Sequence, residues 1–174
     1  MSTDPVTPGT APSQLHYTFG QMFLHWSIAA LVFWQLFVSS SPNEAAHMLR
    51  RGLTPGATDA FLAASHVWVG FAILALVIVR VVLRLRRPTP PADEANRLLA
   101  ALARYAHNLF YALLFFMPIT GIMSYYFGLP TGGIHELGQP VFIGLIVIHA
   151  AAALWHQFIR RDRLMLRMLV PSKA

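Results

Sequence analysis

Four uninterrupted apolar runs constrain this chain more than any other feature. They cover residues 21–40, 63–85, 103–127 and 137–159, and each reaches the roughly 20 residues that a helix needs to cross a bilayer. Backbone amides in hydrocarbon have no water to bond, so runs of this kind must close their hydrogen bonds internally as helices. Composition agrees. Of the 174 residues 56% are hydrophobic and 11% charged, whereas a soluble domain carries about 25% charged residues. The expected architecture is all-α: one integral membrane four-helix bundle over residues 21–160. A polar cytoplasmic tail (1–20) precedes it and a basic cytoplasmic tail (161–174) follows.

The net charge of +6 could suggest a nucleic-acid partner, but the basic residues sit at the membrane ends. Arg80, Arg84, Arg86, Arg87, Arg97 and Arg104 lie between or beside the second and third runs, and Arg160, Arg161, Arg163, Arg167 and Lys173 follow the fourth. Only Arg50 and Arg51 fall on the other side. The positive-inside rule therefore puts both termini and the second loop in the cytoplasm. The first 20 residues contain no Lys or Arg and no small-residue cleavage pattern follows the first run, so that run is expected to remain as a helix. There is no cysteine, which excludes disulfides, thiolate metal sites, iron–sulfur clusters and haem attached through Cys-x-x-Cys-His.

Punctuation between the runs is clear. Ser39-Ser40-Ser41-Pro42 stops the first, and the stretch with His47, Arg50, Arg51 and Thr54-Pro55-Gly56 reads as an external loop. Pro88-Thr89-Pro90-Pro91 ends the second run. Pro118 and Gly121 predict a kink in the outer half of the third. After a very short loop at 128–133, Pro140 predicts a mild distortion near the start of the fourth.

Eight histidines in so apolar a chain need a reason, because ionisable side chains in the membrane are costly and mark functional sites. His25 is near the inner end of the first run, His66 near the outer end of the second and His107 near the inner end of the third. His135 and His149, both on the fourth, differ by about 40° in direction and roughly 21 Å in depth. One helix face thus presents His135 level with His66 and His149 level with His25. Two stacked bis-histidine pairs suit haem, whose iron takes an imidazole on each face within a bundle core. The bundle is accordingly expected to hold two b-type haems.

Zinc would want more ligands, and only Glu136 lies at a matching depth. Gly70, Gly121, Gly144 and the alanines 150–153 are expected to allow close approach of the macrocycles. Arg80 is 14 residues beyond His66 and so on nearly the same face at the inner level. There it either meets a haem propionate or snorkels to the cytoplasmic interface. A single membrane histidine can also just bond a neighbouring helix, and for His107 and His156 both readings stand. His16 and His47 fall outside the runs and read as interfacial. Phe33, Trp34, Phe37, Phe115 and Phe116 read as packing or lipid-facing residues.

The residues match a specific pattern: LHW at 24–26, SHVWVG at 65–70, VRVVLRLRRPTPP at 79–91, YAHNLFYALL from Tyr105, HE at 135–136 and HAAAALWHQF from His149. Together they resemble the prokaryotic cytochrome b561 family of di-haem membrane cytochromes of the bacterial inner membrane. The resemblance implies that His25 and His149 ligate the cytoplasmic-side haem and His66 and His135 the outer one, the same pairs that spacing gives. It also implies that His107 and His156 are quinone-site or propionate contacts. Some members look like superoxide:ubiquinone oxidoreductases and others serve separate redox proteins, and the short last loop departs from members with a long external segment.

The leading expectation is an oxidoreductase or electron-transfer cytochrome passing electrons from a periplasmic donor, superoxide among the candidates, through both haems to a membrane quinone. The competing readings are a cytochrome subunit serving a periplasmic redox protein and, lower, a histidine-based metal transporter or sensor.

Overall fold

The computed structural model describes residues 17–86, 97–161 and 165–169. The N-terminal tail with His16, the proline-rich stop at 88–91 and most of the basic C-terminal tail lie outside them.

Helix α1 (Phe19–Phe37) starts where the sequence Thr-x-x-Gln allows a reciprocal cap. The Thr18 hydroxyl accepts from the Gln21 amide at 3.3 Å and the Gln21 side chain accepts from the Thr18 amide at 3.0 Å, satisfying two donors that a helix start leaves open. The long helices α3 (Ala57–Arg86), α4 (Arg97–Phe127) and α5 (Gly132–Trp155) follow, with a π-helical turn at His156–Arg160. At 30 residues α3 is about 45 Å long, more than the roughly 30 Å of a hydrocarbon core. Its ends therefore project beyond the apolar layer. Among the described residues four helices are long and apolar enough to cross a membrane.

The external stretch expected to be loop contains a further helix, α2 (Ser41–Arg50). The proline that stops α1 starts α2. Pro42 stands in the first turn, where its missing N–H would be unbonded anyway, while Glu44 near the start and His47 and Arg50 at the end complement the helix dipole. Ala45 is buried, and α2 packs against α3. At the other side the Asn43 amide donates to Glu136 at 2.8 Å and the Gln139 amide to the Ser39 hydroxyl at 3.1 Å, joining this cap to α5.

The long helices pack in series, α1 on α3, α3 on α4 and α4 on α5. Gly128, at φ 63°, reverses the chain after α4 and keeps that loop short. The helices run on through Pro118 and Pro140. A core of Ile28, Val32, Ile73, Val77, Leu114 and Phe142 lies at the centre. Large apolar side chains cover the outside, among them Phe33 (61% exposed), Trp68 (70%) and Val147 (61%), a surface that only lipid can cover.

Packing within a bilayer rests on van der Waals contact because lipid tails are as apolar as the core. Val77, with 0% exposure, is therefore a sharper test of packing than a lipid-facing valine. Val77→Ala is expected to destabilise the detergent-solubilised protein by about 1–2 kcal/mol, seen as a lower unfolding temperature, whereas Val82→Ala leaves it nearly unchanged.

Candidate functional site

Two clusters of polar side chains interrupt the apolar interior, one toward each end of the bundle. The arginine-rich end is called inner here.

At the outer level His66 of α3 and His135 of α5 face each other with ring centroids 6.0 Å apart. His135 is fixed in one tautomer. Its Nδ1 lies 2.8 Å from the Met117 carbonyl, which can only accept, so Nδ1 carries the proton and Nε2 keeps its lone pair. Pro118 lies in this turn of α4, where its missing N–H leaves the Leu114 carbonyl, four residues back, without its helix bond. There the carbonyls of Phe116 and Met117 take side-chain donors, including the Thr120 hydroxyl at 2.9 and 3.0 Å.

Gly121 supplies the space for this approach, since a Cβ there would stand 3.1 Å from the His135 ring. On the facing side Gln35 donates to the His66 carbonyl at 2.8 Å, while His66 Nδ1 and Gln35 Oε1 are buried without a partner among the described residues. Trp34 donates to the Ser65 hydroxyl at 3.2 Å and ties α1 to the same turn of α3.

At the inner level His25 of α1 faces His149 of α5 at 6.4 Å. His107 joins them. Its ring meets His149 edge-on at 5.5 Å, and its Nδ1 donates to the Ala103 carbonyl one turn back at 2.6 Å. Phe110 packs against His149 at 5.3 Å and Trp26 against His25 at 5.3 Å. Arg80 does not snorkel away. Its guanidinium turns into the bundle and donates to the Gln21 carbonyl at 3.0 Å and to the Tyr111 hydroxyl at 3.2 Å, with the His25 Nδ1 at 3.4 Å. Arg84 lies over the Tyr111 ring at 5.2 Å.

The structure brings His25 to His149 and His66 to His135, while some expected neighbours lie elsewhere. Gly70 receives the Gln35 amide, at 3.3 Å from a Cβ placed there, and a Cβ on Gly144 would meet nothing within 4 Å. Nine residues past His135, Gly144 points about 180° away from it, so it does not line the site. Phe142 does lie between the clusters. Seven residues from either histidine of α5, it shares their face, is buried, and stacks edge-on with Phe110 at 5.8 Å. That double heptad was legible in the sequence; Gln35 and Tyr111 carried no such signal. His156 begins the π-helical turn two turns inward of His149, and His47 is exposed on α2.

Helix α5 has its close backbone packing on α4, whereas α1 and α3 carry the rings that face it. A metal–imidazole bond of about 2 Å on either side of one ion puts the two ring centroids roughly 6 Å apart, which matches both pairs. Among the described residues no three His, Asp or Glu side chains converge as a chelating group, so the donor set suits an axially ligated macrocycle. The lone pair on His135 Nε2 fits the same purpose. An apolar groove of about 350 Å³ opens at the inner end between Phe19, Met22, Phe23, Trp26, Met168 and Leu169. The Trp26 indole closes one wall by donating to the Met168 carbonyl at 3.0 Å.

Known proteins are similar to this chain over about nine-tenths of its length. It is 32% identical over 161 residues to the cytochrome b562 of Cereibacter sphaeroides, covering 89% of this chain and 96% of that protein. It is 29% identical over 180 residues to the probable superoxide oxidase CybB of Yersinia pestis, covering 90% and 97%. Residues 16–171 match the family profile described as prokaryotic cytochrome b561. With four membrane-length helices and this match over nearly its full length, the chain is a bacterial membrane cytochrome b of the prokaryotic cytochrome b561 family.

Proposed function

We propose that this cytochrome carries two b-type haems and passes electrons through the inner membrane from a donor at the periplasmic end to a quinone at the cytoplasmic end. The observation that carries this reading is the pair of facing imidazoles at each level, 6.4 and 6.0 Å apart. His25 and His149 are the proposed ligands of the inner haem, and His66 and His135 those of the outer one. Haem iron held by these imidazoles would supply a one-electron couple.

The remaining roles fall to the protein's own residues. Met117 and Gly121 orient His135, Gln35 and Trp34 hold the His66 turn, and Phe142 fills the axis between the two levels. His107 is better suited to a quinone or propionate contact than to ligation, since its side chain is exposed and bonded to its own helix. His156 is the second candidate for that contact. The groove beside Trp26 supports quinone access at the same end. Both termini are proposed to be cytoplasmic, from the arginine distribution.

Among donors, superoxide is favoured by the likeness to the probable superoxide oxidase of Yersinia pestis. Two superoxide anions would give up one electron each and leave as dioxygen, and one quinone would take both electrons and two protons to become a quinol. Arg50 and Arg51, exposed at the outer end, would draw in the anion. A second reading, a subunit serving a periplasmic redox protein, has the exposed, basic C-terminal turn of α2 in its favour.

Superoxide generated enzymatically is expected to reduce the purified protein, and an added ubiquinone analogue to reoxidise it. Arg50→Glu with Arg51→Glu should slow the reduction several-fold and reverse its salt dependence, because steering of an anion weakens as salt screens the positive surface. A fast reaction with a periplasmic protein and none with superoxide would favour the second reading, and purified protein without Soret and α bands would sink both.

Ligand substitutions test the sites. His25→Ala and His149→Ala are each expected to remove one redox transition, His66→Ala and His135→Ala the other, and His107→Ala neither. Gly121→Val should cost the outer haem alone, since even a Cβ there crowds His135. Haem content by pyridine haemochrome and a redox titration decide each case; two intact transitions in His25→Ala would exclude the assigned pair.

A further inference from the structure

The two levels differ in what stands behind the ligand rings. At the outer level His135 Nδ1 donates to a backbone carbonyl, Met117, at 2.8 Å. A hydrogen bond of that kind makes the imidazole a stronger donor to a metal. The next residue along α5 is a carboxylate, Glu136, held by Asn43 at 2.8 Å. Both features favour the oxidised, more positively charged iron.

At the inner level the corresponding position behind His25 is taken by a guanidinium. Arg80 is half-buried and stays charged at any working pH. Two anchors hold it independently of His25: the Gln21 carbonyl at 3.0 Å and the Tyr111 hydroxyl at 3.2 Å. An iron-bound His25 carries its proton on Nδ1 and so offers Arg80 no lone pair. The two remaining anchors keep the cation beside the ring. A fixed positive charge in a low-dielectric interior favours the reduced, less positively charged iron. The sign survives pairing with a propionate, because removing the arginine would then leave that carboxylate uncompensated.

We propose that Arg80, clamped between Gln21 and Tyr111 beside His25, makes the inner haem the more easily reduced of the two and so directs electrons inward. The step moves one electron from ferrous outer iron to ferric inner iron, with no bond made or broken. This rests on the two-haem reading above. It goes beyond it in ordering the two haem potentials and giving the arginine a charge-setting role.

The test is a potentiometric titration of the purified holoprotein followed at the α band. The inner transition is identified by its loss in His25→Ala and the outer by its loss in His66→Ala. In the native protein the inner transition is expected at the higher potential. Arg80→Gln, which keeps a hydrogen-bonding side chain but removes the charge, should move the inner transition to lower potential and leave the outer one in place. Arg80→Lys should restore most of the native value, and Tyr111→Phe, which loosens the clamp, should produce a smaller shift of the same sign.

A purely structural role for Arg80 would lose haem in both Arg80 variants without this charge dependence. Two haems retained with an unmoved inner transition, or an inner transition lying below the outer one in the native protein, would overturn the proposal while leaving the two-haem reading intact. Native protein lacking haem would overturn that reading itself.

Discussion

An imidazole in hydrocarbon needs something to bond to, and in this bundle His135 finds the Met117 carbonyl of α4 and His25 stands beside Arg80 of α3. The rings of His25 and His66 meet His149 and His135 in the space that separates α5 from α1 and α3. The backbone contacts instead run in series from α1 through α3 and α4 to α5. Helix α5 is therefore the common wall of both sites. Phe142, between its two histidines, keeps the two levels apart by filling the core.

Each ring is then set by a feature of a different helix. The turn of α4 around Pro118 offers the Met117 carbonyl that fixes the His135 tautomer, and Gly121 on the same helix lets the ring come close enough to use it. Gln35 of α1 reaches across to the His66 carbonyl. At the other end Arg80 of α3 spans from the start of α1 to Tyr111 of α4. A half-buried cation with two fixed acceptors has little freedom to move, which makes it a stable source of local field. The electrostatic difference between the two levels follows from this placement.

Much of the site was legible because helical geometry is rigid. Fourteen residues is close to a whole number of turns, so His135 with His149, and His66 with Arg80, had to share a face whatever the surrounding packing. Less was legible where the outcome depended on neighbours. Ser-Ser-Ser-Pro is a sound stop signal, yet the same proline suits a first helical turn, and packing of Ala45 against α3 decided for α2. Glycine composition suggested close approach at Gly144, but its direction on α5 takes it away from the histidines. Gln35 and Tyr111 carry no spacing signal, since each matters only through a residue 31 positions away in the chain.

The amino-acid sequence by itself determined the membrane class, the four spans, the depth of each histidine and which of them share a helix face. It could do so because hydropathy and helical periodicity are local properties. The tertiary structure alone decided how far apart the facing rings stand, which nitrogen of His135 holds its proton and whether Arg80 turns inward or out to water. Those depend on contacts between helices, where a backbone carbonyl or a hydroxyl on the next helix sets the chemistry of a ring it never touches in sequence.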